Sequence, residues 1–332
     1  MRAVGIQGSK GPATSLFIEE VATPSPGEDE VLVQIKAFGL NRMDISQREG
    51  RYPVPPHAGP ILGVEFSGVI ARIGETADSG GWAIGDEVFG LAYGGAYAEY
   101  IRVSKDMIIA KPPGWSWELA AAIPETWMTA TQAIHRVAHI QPGDKVFWHA
   151  GASSVSIAGI QLSIAAGESA VYTTVGTEKK KEFTKTLGAK QSYNYHTEDW
   201  CRGIKEATKE AGANIIVDFI GKDYFTSNIE VAAKDGHIVS LGMLSGTELT
   251  EQLNIAPILR KRLNISGSTL RGRDLKYQAG LIKEMAEKVI PGIEDGRFNV
   301  TIERVFSWKD VIKAHQIMES NTSKGKIVCL VD

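Results

Sequence analysis

The hydrophobic pattern of the chain changes character near Trp117. Before that point, short apolar runs stand between glycine and proline punctuation. Glu30-Val31-Leu32-Val33-Gln34-Ile35-Lys36-Ala37 alternates apolar and polar residues over its second half, the period of a half-buried strand. Val64 to Ile73 and Glu87 to Leu91 read the same way, so the first third is expected to be β structure, barrel-like or irregular. Glu118 to Ile123 and Thr129 to Val137 are helical in character. From Asp144 a regular alternation begins. Strands are predicted over Lys145 to His149, Ala170 to Thr174, Ser192 to Tyr195, Asn214 to Ile220 and His237 to Leu241. Helices are predicted between them over Ile157 to Ala166, Lys179 to Thr186 and Trp200 to Ala211. Strands alternating with helices of this length mean βαβ units and a doubly wound parallel sheet. From about Ile265 the chain returns to strand, helix and strand, ending in Lys326-Ile327-Val328-Cys329-Leu330-Val331. That tail can complete the first region, which makes the α/β segment an insertion.

At 332 residues the chain suits two domains rather than one core. A hydrophobic share of 43% with 23% charged residues predicts a soluble, folded protein. The formal net charge of −3 offers no pull toward nucleic acid or an acidic membrane. Cys201 and Cys329 are far apart, which argues against a disulfide framework and for a reducing compartment such as the cytoplasm. No window approaches the roughly 18 apolar residues of a membrane span, and Met1 leads directly into a strand-like run.

The first parallel strand is followed by His149-Ala150-Gly151-Ala152-Ser153-Ser154-Val155-Ser156. In a βαβ unit this turn is where a pyrophosphate rests, on free N–H groups and the positive end of the helix dipole. Gly151 is the one glycine in it, so the motif alone is weak and a plain structural turn is the competing reading. Context, small residues and serine hydroxyl donors favour phosphate. The second strand ends Thr174-Val175-Gly176-Thr177, followed by Glu178-Lys179-Lys180-Lys181. An NAD site usually places Asp or Glu at that strand end. A hydroxyl and ammonium groups suit a 2′-phosphate and hence NADPH, with Glu178 counting against it and a solvated lysine face as the alternative.

Several further stretches carry a resemblance. Pro24-Ser25-Pro26-Gly27-Glu28, Leu40-Asn41-Arg42-Met43-Asp44, Gly63-Val64-Glu65-Phe66-Ser67-Gly68, Ala121-Ala122-Ile123-Pro124-Glu125, Leu187-Gly188-Ala189 and Gly325-Lys326-Ile327-Val328 occur in this order and spacing. Together they resemble the zinc-independent medium-chain dehydrogenase/reductases of the quinone oxidoreductase branch. The likeness is stronger to the tumour-suppressor-inducible group than to zeta-crystallin. It implies a GroES-like β domain from residues 1–122 and 265–332, enclosing a Rossmann NADPH-binding domain at 123–264. It implies cofactor contacts at Asn41, Thr129, Gly151, Ala152, Ser153, Ser154, Val155, Gly176, Thr177, Lys180, Tyr195, Leu241, Gly242, Met243, Ser268, Thr269, Leu270 and Asn321. Relatives carry glycine at the positions of Ser154 and Ser156, so strain of about 1 kcal/mol each is expected if either needs φ > 0. The resemblance also implies a homodimer paired through Rossmann edge strands, around His237 to Leu241.

Zinc enzymes of the same superfamily use Cys, His and Cys, because Zn²⁺ favours N and S donors. Asn41, Val64 and Glu125 stand at those positions, there is no C-x-x-C pair, and the seven histidines are scattered, with His135 and His139 an i,i+4 pair on an expected helix. No metal is expected. Without a Lewis acid, the substrates that remain are quinones or similar electron-poor carbonyls, which accept hydride readily. Asn41 and Tyr52 are the catalytic candidates, and Asp44, Gln47 and Trp127 are expected to line the acceptor site. Tyr52 can protonate a developing enolate or merely cover the acceptor's ring, and Asp44 can equally be a capping residue. One alternative is an NADPH-dependent enone or enoyl thioester reductase with Tyr52 as proton donor. Another is a weakly catalytic NADPH-binding module with RNA or protein partners, drawing on Arg260-Lys261-Arg262, Arg271 and Arg273; the acidic total and lack of interleaved aromatics make nucleic acid the lesser option.

Overall fold

The computed structural model describes residues 1–75, 80–167, 170–249 and 253–332. Strands β1 (Arg2–Ile6) and β2 (Leu16–Glu20) pair antiparallel. Next come β3 (Glu30–Gly39), α1 (Arg42–Arg48), β4 (Glu65–Ile73), β5 (Glu87–Leu91), β6 (Tyr100–Ser104), β7 (Ile108–Ala110), α2 (Trp117–Ala121) and α3 (Pro124–Thr131), with a π-helical turn at Gln132–Val137. The α/β segment follows as β8 (Lys145–Trp148), α4 (Ser154–Ala165), β9 (Ala170–Val175), α5 (Glu178–Thr186), β10 (Gln191–Asn194), α6 (Trp200–Ala207), β11 (Ala213–Asp218), α7 (Lys222–Val231), β12 (Ala232–Ser240), α8 (Ala256–Lys261) and β13 (Asn264–Gly267). The chain closes with α9 (Leu275–Lys288), α10 (Ile290–Glu294), β14 (Ile302–Ser307), α11 (Val311–Glu319) and β15 (Lys326–Leu330).

Two units result. Met1–Met128 and Arg271–Asp332 form one, and Thr129–Leu270 forms the other. In the first, a sheet runs β14-β15-β3-β4-β5-β7 with β6 on β3, so the last strand is stitched beside the third. In the second, all six strands are parallel in the order β10-β9-β8-β11-β12-β13. The order reverses between β9 and β11 on either side of β8, which places a topological switch point at the carboxyl end of β8.

Both crossings between the units differ from the expectation, the first falling after Met128 rather than Ala122. The second crossing falls after Leu270 rather than before Ile265, because β13 is hydrogen-bonded parallel to β12 and so extends the Rossmann sheet. Asn264-Ile265-Ser266-Gly267 has a single large apolar residue, too little to show which sheet the strand expected from about Ile265 joins. Consequently His237 to Leu241, expected at a sheet edge, mostly falls in the interior strand β12, and the open edges of this sheet are β10 and β13.

The two cores are largely apolar, and the β unit also buries an ion pair. Lys326 at the start of β15 and Glu65 at the start of β4 are both fully buried, with side chains 1% and 0% exposed, and form an ion pair. Desolvating two charges is costly, and only close pairing with further hydrogen bonds compensates for it. Glu65 has those bonds: its Oε1 accepts from Asn41 Nδ2 at 2.8 Å and its Oε2 from the Glu125 N–H at 2.9 Å. Replacing Lys326→Met leaves a buried carboxylate short of its cation and is expected to cost about 3 kcal/mol or more of unfolding free energy. The Lys326→Met/Glu65→Gln double variant should lose less than the single one. Chemical denaturation of both checks this, and a single variant as stable as the parent would contradict it.

Candidate functional site

In the Rossmann unit, the turn after β8 is built on a buried histidine. His149 is fully buried among the rings of Phe147, Trp200 and Tyr224. Its Nε2 faces Asn228 Oδ1 at 2.7 Å and its Nδ1 faces the Thr174 hydroxyl at 3.0 Å. Asn228 Oδ1 can only accept, so the imidazole carries its proton on Nε2 and Thr174 donates to Nδ1. Burial lowers the imidazole pKa to about 4, which keeps it neutral at ordinary pH. Thr174 Oγ1 in turn accepts the Ala150 N–H at 3.3 Å. The first residue of the turn is thus tied to the end of β9.

The strain expected at the two serines is absent. Ser154 and Ser156 lie in the first turn of α4, and the left-handed residue of the turn is Ala150, at φ 50°. Ser153 caps the helix, its Oγ accepting the Ser156 N–H at 3.3 Å and donating to Ser156 Oγ at 3.0 Å. Ser156 Oγ donates to the His149 carbonyl at 2.8 Å. The expectation that serine hydroxyls point at a phosphate is therefore corrected for Ser153 and Ser156, whose protons are used inside the turn. What remains for an anion is the helix start itself, with the N–H groups of Ser154 and Val155 at its first two positions and the dipole behind them. Gly151 has no room for a side chain, since a Cβ would stand 2.6 Å from Thr173.

The other expected cofactor residues collect at the carboxyl ends of the same sheet. Gly176 and Thr177 follow β9, Tyr195 follows β10, Leu241, Gly242 and Met243 follow β12, and Ser268, Thr269 and Leu270 follow β13. A Cβ on Gly176 would meet the Tyr195 hydroxyl at 2.7 Å, so the bare glycine lets the phenol come close. Thr177 caps α5 by accepting the Lys180 N–H at 3.2 Å. Lys181 is paired with Glu198 at 2.8 Å, and Glu178 accepts from Asn194 Nδ2 at 3.1 Å. Glu178, the residue that argued against NADPH, is turned toward α5 and β10. These donors and small residues fit a dinucleotide with a phosphorylated ribose. Thr129 opens this unit on α3; Asn41 and Asn321 belong to the other unit. Asn321, at φ 57°, accepts from Arg42 at 2.5 Å.

In the β unit the candidate side chains form one buried network. Asn41 caps α1, and its amide is held at both ends: Nδ2 donates to Glu65, and Oδ1 accepts from Lys326 Nζ at 2.7 Å. Asp44 accepts the Asn41 N–H at 2.8 Å, the Gly63 N–H at 3.3 Å and the Tyr97 hydroxyl at 3.2 Å. Its role here is capping and support, and burial raises its pKa to about 6 against the opposing pull of the Asn41 N–H, Arg271 and Lys326. Tyr97 also meets His315 Nε2 at 3.2 Å, and His315 Nδ1 meets Arg48 at 3.0 Å. Burial and the Glu65 charge raise the Glu125 carboxyl to about 8, so it is mostly neutral at pH 7. Tyr52 is half-buried, and its phenol is pushed upward by burial and by the Glu125 charge, against the pull of Arg271. Gln47 Oε1 accepts from Arg271 Nη1 at 2.7 Å. Trp127 is corrected from lining residue to core residue: it is 2% exposed and packs on Phe298, with ring centroids 5.4 Å apart.

Glu65, Lys326, Tyr97, His315 and Arg271 were not anticipated as members of this network. They lie far apart in sequence, and a buried lysine leaves no periodic signal. Most of the basic residues considered for RNA are spent within the protein. Lys261 donates to the carbonyls of Ile229, Glu230 and Ala232, Arg262 pairs with Asp235, and Arg271 is buried.

Zinc does not fit the donors present. The Lys326 ammonium occupies the space between Asn41 and Glu65, and a second cation there would be repelled. His135 lies in the π-helical turn and His139 beyond it at φ 52°, so the two do not form the expected i,i+4 pair. Among the described residues no group of three His, Cys, Asp or Glu could hold a metal ion, and no helix is long and apolar enough to cross a membrane.

Residues 154–287 match the zinc-binding dehydrogenase family, and residues 27–113 match the alcohol dehydrogenase GroES-like domain. The chain is 26% identical over 96% of its length to a phenolphthiocerol/phthiocerol polyketide synthase of Mycobacterium tuberculosis, but spans only 14% of that protein. It is 25% identical to the quinone oxidoreductase of Sus scrofa, covering 100% of this chain and 98% of the relative. The structure of Escherichia coli quinone oxidoreductase complexed with NADPH superimposes with a TM-score of 0.88 and 27% identity, covering 100% of both chains. The CurK enoyl reductase superimposes at a TM-score of 0.85 over 100% of this chain and 99% of its own, and its 24% identity shows the fold alone. With a Rossmann unit inserted into a GroES-like one and both matched in sequence, the chain belongs to the medium-chain dehydrogenase/reductase family, quinone oxidoreductase type.

Proposed function

We propose that this protein is an NADPH-dependent oxidoreductase that reduces quinones or similar electron-poor carbonyls by metal-free hydride transfer, as a cytoplasmic homodimer. The observation that carries the acceptor class is the Lys326–Glu65–Asn41 cluster, which puts an internal ammonium beside Asn41, one of the positions where zinc relatives carry a ligand. An acceptor must then take hydride without a Lewis acid, and quinones do so because the added charge is spread over the ring. NADPH, when bound, supplies the hydride and its electron pair. The backbone from Gly151 to Val155 would take the pyrophosphate at the α4 N-terminus. Gly176, Thr177, Lys180 and Tyr195 would surround the ribose and its 2′-phosphate. Leu241 to Met243, Ser268 to Leu270 and Thr129 would flank the nicotinamide half, with Asn41 beside the reacting ring and Asn321 at the rim. The NADPH complex of the Escherichia coli relative supports this choice over NADH, as does the engagement of Glu178 by Asn194. Cys201 and Cys329 are both free thiols, in keeping with a reducing compartment.

A second reading, enone or enoyl thioester reduction, draws on Tyr52, a half-buried phenol whose pKa is raised and which therefore stays protonated as a donor. Oxidation of NADPH against ortho-quinones, para-quinones and enones separates the two. Quinones should be turned over, with NADH used at least ~10-fold less efficiently, a difference of about 1.4 kcal/mol. A Tyr52→Phe variant should keep quinone turnover within a few-fold and lose enone turnover by ~100-fold or more. No NADPH consumption with any acceptor would overturn the proposal.

For the homodimer, the open edge β13 is the proposed contact. Ile265 on that edge is 37% exposed, and Leu259 on the preceding helix is 82% exposed. An unpaired edge beside apolar side chains invites strand pairing. Light scattering should give twice the chain mass, and Ile265→Lys should shift it to one. An unmodified protein that runs as a monomer at micromolar concentration would contradict this contact.

A further inference from the structure

Arg271 is a buried guanidinium with one arm unmatched. The residue is 2% exposed, and its guanidinium carries N–H donors and no acceptor. Its Nε donates to the Tyr93 carbonyl at 2.6 Å and its Nη1 to Gln47 Oε1 at 2.7 Å, which fixes the fork. Nη2 is buried and has no hydrogen-bond partner among the described residues. The guanidinium carbon lies 5.4 Å from the centroid of the Tyr52 ring. On its other side Gly94 keeps the space open, since a Cβ there would stand 3.1 Å from Nη2. Two nearby acceptors are committed elsewhere, while the Tyr52 oxygen and the Glu125 carboxyl both feel the Arg271 charge. Asp44 takes the Asn41 and Gly63 N–H groups and the Tyr97 hydroxyl, and Gln47 already serves Nη1. Burying a charged N–H without an acceptor is expensive, so the arrangement is matched to an oxygen that arrives with a ligand.

We infer that Arg271 is a catalytic residue whose Nη2 N–H group binds the acceptor oxygen that becomes an oxyanion on reduction. The inference rests on the proposed quinone reduction and assigns its charge-stabilising group. In the step, a C–H bond of the dihydronicotinamide breaks and the hydride passes to the quinone with both electrons. The nicotinamide is oxidised, and one quinone oxygen gains a full negative charge. Arg271, itself buried, would hold that charge, and a preset donor counts for most away from water. Water then protonates the oxyanion, so one hydride and one proton convert quinone to hydroquinone. Loss of one such donor typically costs ~100-fold or more in turnover.

The test uses Arg271→Met, and Arg271→Lys to retain the charge without the fork. 4-Nitrophenolate serves as an oxyanion probe, followed by its absorbance with no cofactor present, and 4-nitroanisole as its neutral match. The parent protein should bind the phenolate at least ~10-fold more tightly than Arg271→Met does. Arg271→Lys should fall between them, and nitroanisole binding should be equal in all three. In turnover, both variants should lose kcat more than KM, and most on the weakest quinone acceptors, with the NADPH titration unchanged. A merely structural Arg271 would lower all acceptors alike. Equal phenolate binding by folded parent and variants, or a uniform loss across acceptors, would overturn the inference. If the parent binds phenolate through Arg271 but reduces no quinone, the proposed activity fails while the anion site stands.

Discussion

The β unit is organised around one buried ion pair. Lys326 belongs to the last strand, Glu65 to β4, and Asn41, at the head of α1, bridges them by donating to the carboxylate and accepting from the ammonium. Both oxygens of Glu65 are matched, the second by the N–H of Glu125 at the start of α3. Four segments distant in sequence therefore share one charge-balanced point. A neutral Glu125 keeps that balance, because its pKa of about 8 leaves it mostly protonated at pH 7. The pair also bears on the chemistry, because an ammonium stands between Asn41 and Glu65 and the donors around it are an amide and carboxyls.

The second constraint is the turn after β8. His149 is not a ligand or a base but a neutral hydrogen-bonding post, with Asn228 on one side and Thr174 on the other. Through Thr174 it holds Ala150, the residue that carries the left-handed bend. That is why two glycines can be replaced by serine in the following residues without backbone strain. Those residues are already helical, and their side chains knit the first turn of α4 to the end of β8. What the substitutions change is the space and hydroxyl chemistry in front of the helix, while its leading N–H groups remain available to an anion.

Much of this architecture was legible in the sequence. The alternation from Asp144 onward marked the parallel sheet because buried strands and amphipathic helices differ in period. The return of β character after Ile265 marked the insertion. The strand expected from about Ile265 was placed in the wrong unit, because one isoleucine among Asn, Ser and Gly does not say which sheet it joins, and its membership depends on pairing with β12. Trp127 was legible as a neighbour of the site but not as a core residue, since facing depends on Phe298 across the unit. The buried polar network was least legible. Lys326 and Arg271 look like surface cations in one dimension, and only the partners brought by other strands and helices reveal their burial.

The central claim is that hydride passes to the acceptor without a metal. Its most direct test is quinone reduction by exhaustively chelated protein, with NADPH compared against NADPH deuterated at the transferring C4 position. Full activity after chelation, with a primary isotope effect on turnover or on a single-turnover rate, is the predicted result. Activity that disappears on chelation and returns with Zn²⁺ would contradict the account.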